Sequence, residues 1–264
     1  MEKTINCFTN IAPLYRKKLW LALLEKYESN IFFYFGEEVP QNIKLIDVTI
    51  PSFAAFRPQF IKIRNYWLFK KLLVWQTNVI WTCLKQHNSI NIFYGNMYCL
   101  STWIAAIICR LKGLPVIFWS HGIYGNEGRL KLFFRKVFYK LAQKHLLYER
   151  RAKKIMVEKG FKRDNLYVVF NSLDYQKHKR LRNKFSNSTR NEFSSFFKRP
   201  ELPTLIFIGR LTPIKKLHYL ISAVSEINHT TPILNLLIVG DGPTSKDLIT
   251  QGELGVYGKW LYFD

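Results

Sequence analysis

The amino-acid sequence predicts an α/β fold in which short apolar strands alternate with amphipathic helices. The pattern is clearest over residues 204–243, where a β-branched run, a glycine turn, a helix and a second apolar run follow one another. Short buried runs of this kind are typical of parallel strands. The same alternation recurs over residues 1–175, and 264 residues are enough for two domains. We therefore expect two domains, each built around a parallel sheet.

The βαβ unit over 204–243 carries the most specific pattern in the chain. Thr204–Ile208 is predicted as a buried strand that ends at Gly209. The helix that follows has one apolar face, formed by Leu217, Leu220, Ile221 and Val224. Leu234–Val239 is the second strand, and the turn after it contains Gly240, Asp241, Gly242 and Pro243. Because ligands of such sheets bind at the carboxyl ends of the strands, Arg210 and the Gly240–Pro243 turn are candidate ligand contacts.

The segments FIGRLTPIKK and LLIVGDGP resemble the nucleotide-sugar-binding domain of the GT-B glycosyltransferases, in the retaining group called family 4 or group 1. The resemblance implies two Rossmann-like domains and a donor diphosphate held by cations. The matching cations are Arg210 and Lys215, and Gly209, Gly240 and Gly242 match the donor-site loops. Fixed cations stabilise the charge that develops on a diphosphate leaving group. Lys216 stands where the family more often has glycine, so which lysine reaches the phosphate stays open.

The first domain, residues 1–175, contributes a candidate catalytic histidine. His121 follows the predicted strand Pro115–Trp119, and in the resembled family a histidine at this strand end lies in the interdomain cleft near the donor sugar. The other predicted strands of this domain are Thr4–Phe8, Ile31–Phe35, Ile43–Val48, Ile90–Tyr94, His145–Tyr148 and Leu166–Phe170. The turn Thr9–Pro13 contains no glycine, whereas the family usually has a glycine-rich loop there. The acceptor-side contacts are therefore left open.

Three stretches of the first domain raise the question of membrane contact. Gln86–Cys109 contains no charged residue, but a strand and a buried helix over Leu100–Leu111 explain it better than a transmembrane span. Phe60–Lys85 is predicted as helical, either an ordinary amphipathic helix or a surface for lipid headgroups. Arg129–His145 is predicted as an amphipathic helix whose apolar stripe is mostly core. Its basic face is either simply solvated or in electrostatic, peripheral contact with an anionic membrane. That stripe comprises Leu130, Phe133, Phe134, Val137, Phe138 and Leu141.

The net charge of +22 implies an anionic partner. The chain has no zinc-finger, RNA-recognition or helix-turn-helix signature, so we expect no specific nucleic-acid partner. The four cysteines lack metal-ligand spacing and lie in apolar contexts, which predicts buried free thiols and a reducing cytosol. No metal motif is present, and the resemblance implies neither a metal nor a cofactor beyond the nucleotide-sugar substrate.

The polar, basic residues 176–203 are predicted as an interdomain linker, and residues 204–264 as the first half of the nucleotide-sugar-binding domain. The resembled family carries two glutamates eight positions apart later in this domain, yet Glu253 is the only glutamate after Gly242. The sequence thus predicts an incomplete second domain. Three alternatives follow: a fragment of a longer enzyme, a truncated and inactive product, or completion by another chain.

The resemblance implies a glycosyltransferase that moves a sugar from a nucleotide-sugar to a glycan acceptor with retention of configuration. We expect a lipid-linked acceptor, a role in surface polysaccharide synthesis, and a cytoplasmic location, peripheral at the inner face of the plasma membrane. The alternative is a noncatalytic basic membrane-surface protein derived from such an enzyme.

Overall fold

A computed structural model of the chain describes residues 3–36, 43–49, 51–70, 72–171, 174–185, 197–253 and 258–261. The chain divides into two compact units, Met1–Gln176 and Lys177–Asp264. The first contains a seven-stranded parallel sheet and the second a three-stranded parallel sheet within the described residues. The predicted α/β fold class is confirmed.

The sheet of the first unit has the order β3-β2-β1-β6-β7-β8-β9, and all its neighbouring strands are parallel. Its strands are β1 Thr4–Thr9, β2 Ile31–Gly36, β3 Phe60–Ile63, β6 Ser89–Tyr94, β7 Val116–Ser120, β8 Lys144–Leu147 and β9 Leu166–Val168, and a separate hairpin pairs β4 Asn65–Leu68 with β5 Leu73–Gln76. The helices are α1 Lys17–Tyr27, α2 Val79–Lys85, α3 Leu100–Leu111, α4 Arg129–Lys140 and α5 Arg150–Glu158. Strand order reverses between β1 and β6, which makes their carboxyl ends the expected ligand crevice of this sheet.

Helices cover both faces of this sheet. Successive side chains of one strand point to opposite faces, so each central strand contributes to two cores. Phe118 of β7 lies in the core formed with α2 to α5, whereas its neighbour Trp119 lies in the core formed with α1. Trp20 of α1 is buried in that second core and contacts Phe33 edge to face. Both faces of the central strands are therefore apolar, as a doubly wound domain requires.

The second unit contains β10 Thr204–Ile208, α7 Leu217–Ile227, β11 Asn235–Val239, α8 Ser245–Glu253 and β12 Gly258–Leu261, with the strands in that order. Leu217, Ile221 and Val224 are buried in its core, so the predicted apolar face of the helix is confirmed. The predicted burial of Thr204–Ile208 is wrong. Ile208 is 71% exposed, because β10 lies at an edge of the described sheet and only Phe207 reaches the core.

Two predictions about the middle of the first unit are also wrong. Residues 43–48 form no strand and make only an isolated bridge at Leu45, because the free edge of β2 is occupied by β3. Residues 60–85 are not one helix: they form β3, the β4–β5 hairpin and then the short helix α2. Hydrogen bonding to β2 and pairing within the hairpin determine that this region forms strands. Neither kind of pairing can be read from the local sequence pattern.

Residues 86–111 confirm the strand and helix that the sequence predicts. They contain β6 and α3, and within the described residues no helix is both long and apolar enough to cross a bilayer. The segment predicted as a linker is helical at its start, because Tyr175–Phe185 forms α6. Residues 186–196 of that segment lie outside the described part of the chain.

Helix α4 ends at Lys140 rather than at His145, which belongs to β8. Its predicted stripe is only partly core: Phe138 is buried and Leu141 packs against the core, whereas Leu130, Phe133, Phe134 and Val137 are exposed. The helix instead buries a neighbouring face that contains Arg135, Phe138 and Tyr139. Arg135 can be buried because it pairs with Glu127. The periodicity of apolar residues alone does not predict that a face with an arginine is buried.

Candidate functional site

The second unit brings its two strand-end loops together. The loop after β10 and the loop after β11 are joined by backbone hydrogen bonds, from Leu211 N to Asp241 O (2.9 Å) and from Thr244 N to Leu211 O (3.2 Å). The Asp241 carboxylate also accepts a 2.7 Å hydrogen bond from the Gly242 N–H. The carboxyl end of this sheet is therefore one connected surface formed by both loops.

Two glycines allow this close approach. A Cβ atom at Gly240 would lie 1.9 Å from the carbonyl oxygen of Gly209, and one at Gly242 would lie 2.1 Å from the carbonyl oxygen of Leu211. Real Cβ atoms do not approach backbone oxygens so closely, so any larger residue would push the loops apart. The sequence prediction placed Gly209, Gly240 and Gly242 in one group, and the structure brings all three together.

The two candidate diphosphate-binding cations follow β10 on this surface. Arg210 comes directly after Gly209 and is partly buried, whereas Lys215 is exposed at the end of a short 3-10 turn, Pro213–Lys215. Lys216, the residue just before α7, has the left-handed conformation, with φ of 51°. This is the position that glycine often occupies in the resembled family, and the left-handed region favours glycine. Lys216 thus adopts this conformation at a modest energetic cost.

His121 lies in the first unit, directly after β7, at the carboxyl end of its sheet. Its ring centroid is 4.5 Å from that of Tyr148, which follows β8, and 6.2 Å from that of Tyr124. Partial burial lowers the pKa of His121; nearby Glu149 opposes this shift and Arg16 reinforces it. The imidazole is therefore neutral near pH 7 and can donate or accept a hydrogen bond.

Arg16 is a residue of this sheet edge that sequence reasoning missed. It lies in the connection from β1 to α1, is only 7% exposed, and its guanidinium is 4.5 Å from the Trp119 ring centroid. Its Nη2 donates a 2.7 Å hydrogen bond to the Tyr148 hydroxyl. The signal that could have revealed it is an arginine just after the glycine-free turn Thr9–Pro13.

The turn itself is held by the β4–β5 hairpin. Asn65 Nδ2 donates a 2.8 Å hydrogen bond to the carbonyl of Asn10, and Gln76 Nε2 donates one of 3.1 Å to the carbonyl of Thr9. Asn65 and Gln76 are buried and bonded to each other. Side-chain amides therefore stabilise the turn that glycines shape in the resembled family.

Other candidate groups lie away from these edges. Cys7, Cys83, Cys99 and Cys109 are buried free thiols, as the sequence predicts, and burial raises the pKa of Cys7 to about 12. His145 is 2% exposed, among aromatic rings of the core. Among the residues that the structure describes, no cluster of histidine, cysteine or acidic side chains could hold a metal ion.

Comparison with known proteins addresses the resemblance directly. The family model described as glycosyl transferases group 1 matches residues 188–257, which include Arg210, Lys215 and both glycine loops. The match confirms, on this segment, the resemblance drawn from the sequence. Among curated proteins, no relative was found.

Solved structures are similar to the chain over nearly its whole length. They include the lipopolysaccharide outer core galactosyltransferase WaaB (14% identity, TM-score 0.57, 99% of this chain and 68% of that one) and Anabaena HepE in complex with UDP (15%, 0.61, 100% and 70%). A UDP-GlcNAc 2-epimerase from Neisseria meningitidis bound to UDP-GlcNAc is also similar (13%, 0.56, 100% and 72%). At 13–15% identity, this structural similarity shows the GT-B fold alone.

Proposed function

We propose that this protein is a glycosyltransferase that moves a sugar from a nucleotide-sugar to a glycan acceptor. The observation that carries the proposal is the joined pair of loops at the carboxyl end of the second sheet, within the segment that the group 1 family model matches. Arg210 and Lys215 lie in the first of these loops and supply positive charge where a donor diphosphate would lie. The UDP and UDP-GlcNAc in the HepE and epimerase structures support a nucleotide-sugar as the donor.

The proposed chemistry needs no protein nucleophile, metal or additional cofactor. Arg210 and Lys215 would bind the diphosphate and stabilise its charge as the glycosidic bond breaks. A diphosphate oxygen on the same face of the sugar would then help to deprotonate the acceptor hydroxyl, which gives retention of configuration. We assign His121 a catalytic contact with the donor sugar, as a neutral imidazole in hydrogen-bonding distance of a hydroxyl.

We further propose that the acceptor is lipid-linked, as expected in surface polysaccharide synthesis, and that the protein lies in the cytoplasm, peripheral at the inner face of the plasma membrane. Support comes from the outer face of α3 and α4, defined here as the exposed apolar side chains Ile104, Ile107, Leu111, Leu130, Phe133, Phe134 and Val137. The two helices are neighbours, because Trp103 contacts Phe138 with centroids 4.9 Å apart. Exposed Arg110, Lys131 and Lys140 lie on the same helices and would attract anionic headgroups.

The donor assignment is tested by binding and turnover of a panel of nucleotide-sugars. Arg210→Ala and Lys215→Ala should each weaken binding of the donor nucleotide, measured by calorimetry, and abolish transfer to lipid-linked acceptors from cell membranes. Lys246→Ala removes an exposed lysine of α8 and serves as the matched control. Near wild-type binding and transfer in both site variants would refute the diphosphate assignment.

Two other functions give different results in the same assays. An epimerase would convert UDP-GlcNAc to its 2-epimer without any acceptor, which proton NMR detects. A noncatalytic membrane-surface protein would bind anionic vesicles but would neither bind nor turn over any nucleotide-sugar of the panel. The exposed apolar side chains on the outer face of α3 and α4 are the observation that favours this last alternative.

A further inference from the structure

We propose that Cys83 and Cys109 are a redox-active pair of thiols that hydrogen peroxide oxidises to a disulfide between α2 and α3. This property goes beyond the proposed glycosyl transfer and does not depend on it. The proposal stands on the place of the two cysteines in neighbouring helices, on the way the end of α2 is held, and on the contact between the thiols.

Cys83 and Cys109 lie at the corresponding ends of two helices that pack against each other. Cys83 is the last buried residue of α2, and Cys109 is the last buried residue of α3. Both thiols are fully buried in the same hydrophobic core of the first unit. The buried residues of α3 one turn before Cys109 are Ala105 and Ala106, whose small side chains let α2 approach closely. The packing of the helices thus places the two thiols in one part of the core.

Lys112 joins these two helix ends. It directly follows α3 and lies three positions after Cys109, so the two residues share one side of the helix. Its Nζ donates hydrogen bonds to the backbone carbonyls of Cys83, Leu84 and Gln86, and the bond to Cys83 is 3.1 Å long. Carbonyls at the end of a helix lack partners within the helix, so this side chain caps α2. The end of α2 that carries Cys83 is therefore held beside the end of α3 that carries Cys109.

The two thiols contact each other and differ in acidity. The hydrogen bond from the Cys83 thiol lowers the pKa of Cys109; burial opposes this shift and the charge of Lys112 reinforces it. The same hydrogen bond raises the pKa of Cys83, and burial adds to that shift. Because the thiolate is the nucleophile, Cys109 is the residue that attacks an oxidant. Cys83 is the neighbouring thiol that completes the disulfide.

The reaction balances with one molecule of hydrogen peroxide. The Cys109 thiolate attacks a peroxide oxygen, the O–O bond breaks, and a sulfenic acid forms while the other oxygen leaves as water after it takes up a proton. The Cys83 sulfur then attacks the sulfenic sulfur, so that the S–S bond forms, the S–O bond breaks and a second water leaves with the Cys83 proton. The two thiols lose two electrons and two hydrogen atoms, and the peroxide is reduced to two water molecules.

Peroxide reaches the buried pair when α2 opens. This helix has only seven residues, too few to be stable in isolation, and Trp81 and Leu84 on its outer side are 59% and 43% exposed. Short elements of this kind open locally while the rest of the domain stays folded. Opening of α2 exposes the two thiols, and closing brings them together again. Once the disulfide has formed, the same burial shields it from reductants.

The test treats the reduced full-length protein with hydrogen peroxide and counts its free thiols by alkylation in denaturant. We expect two of the four thiols to disappear, with the loss of two hydrogen atoms in the intact mass and no added oxygen. Trypsin should then release peptide 72–85 linked to peptide 86–110. Because peptide 86–110 also contains Cys99, Cys109→Ala should abolish the link whereas Cys99→Ala should keep it. Cys7→Ala removes a buried thiol of the other core and is the matched control, which should also keep the link.

Thermal unfolding shows whether the disulfide fits the folded pair of helices. A crosslink between Cys83 and Cys109 restricts the unfolded chain, so oxidation should raise the Tm of the first unit by roughly 5–10 °C. Oxygen added to separate cysteines, an equal loss of the Cys7 thiol, an unchanged thiol count or a lower Tm after oxidation would each overturn the proposal. None of these measurements involves a nucleotide-sugar, so their outcome is independent of glycosyl transfer.

Discussion

Glu127 and Arg135 form an ion pair that is nearly excluded from solvent. Arg135 Nη1 donates a 2.7 Å hydrogen bond to Glu127 Oε1, and the two side chains are 8% and 3% exposed, respectively. Burial alone would raise the pKa of Glu127, but the N–H groups of Tyr124 and Gly125 and the charge of Arg135 together lower it. The pair therefore fixes the loop between His121 and α4.

Loss of one partner of this pair should be strongly destabilising. Arg135→Met leaves the Glu127 carboxylate buried without its cation, and we expect a loss of about 3–5 kcal/mol in the free energy of unfolding of the first unit. The double variant Glu127→Gln, Arg135→Met should recover much of this loss, because neither charge remains. Urea denaturation of the three proteins checks the order. Equal stability of the single and double variants would show that the unpaired charge of Glu127 is not the cause of the destabilisation.

A second prediction concerns acid pH and His145. Burial lowers the pKa of His145 to about 4 from an ordinary value of 6.5, so the unfolded state binds a proton that the folded state does not. The stability contributed by the neutral form is complete above pH 6.5 and falls as the pH drops from 6.5 to 4. The expected loss across this range is at most about 3 kcal/mol.

The variant His145→Phe isolates this effect, because the pocket is lined by the rings of Phe118, Tyr139 and Phe161. The free energy of unfolding should vary less between pH 6.5 and 4 in the variant than in the parent protein. The measurement is chemical denaturation at half-unit steps of pH. Parallel pH profiles for the two proteins would mean that His145 titrates equally in both states.

A third prediction tests the outer face of α3 and α4. Phe133→Ser and Phe134→Ser remove exposed rings, 60% and 51% open to solvent, so the fold should tolerate them. The double variant should bind vesicles containing phosphatidylglycerol at least about tenfold more weakly, because each inserted ring contributes of the order of 1 kcal/mol or more. Cosedimentation measures the bound fraction.

The control for this face is Phe185→Ser, since Phe185 is 56% exposed on α6. This variant should bind like the parent protein. Binding by the parent should also weaken with rising salt and be slight on neutral phosphatidylcholine, because the basic side chains of α3 and α4 attract only anionic headgroups. Unchanged binding by the Phe133, Phe134 double variant would exclude insertion of α4.

The sequence by itself determined the elements whose signals are local. The βαβ unit over 204–243 is specified by two apolar runs, a helical face and glycine turns, each of which acts within a few residues. Helix α3 was likewise predictable with its bounds, because its periodicity and its flanking turns agree. Among the candidate site residues, the glycines of 209, 240 and 242 were found through their turn chemistry.

Only the tertiary structure decided the features that depend on distant partners. Residues 60–63, 65–68 and 73–76 form strands because β2 and the two arms of the hairpin supply hydrogen bonds, although the composition of this region also suits a helix. Helix α4 buries Arg135 and exposes Phe133 because Glu127 neutralises the arginine. Arg16 became a candidate only when Trp119 and Tyr148, more than a hundred residues away, were seen to enclose it. Local patterns fix what a segment can form, whereas pairing and burial across the chain fix which face is used.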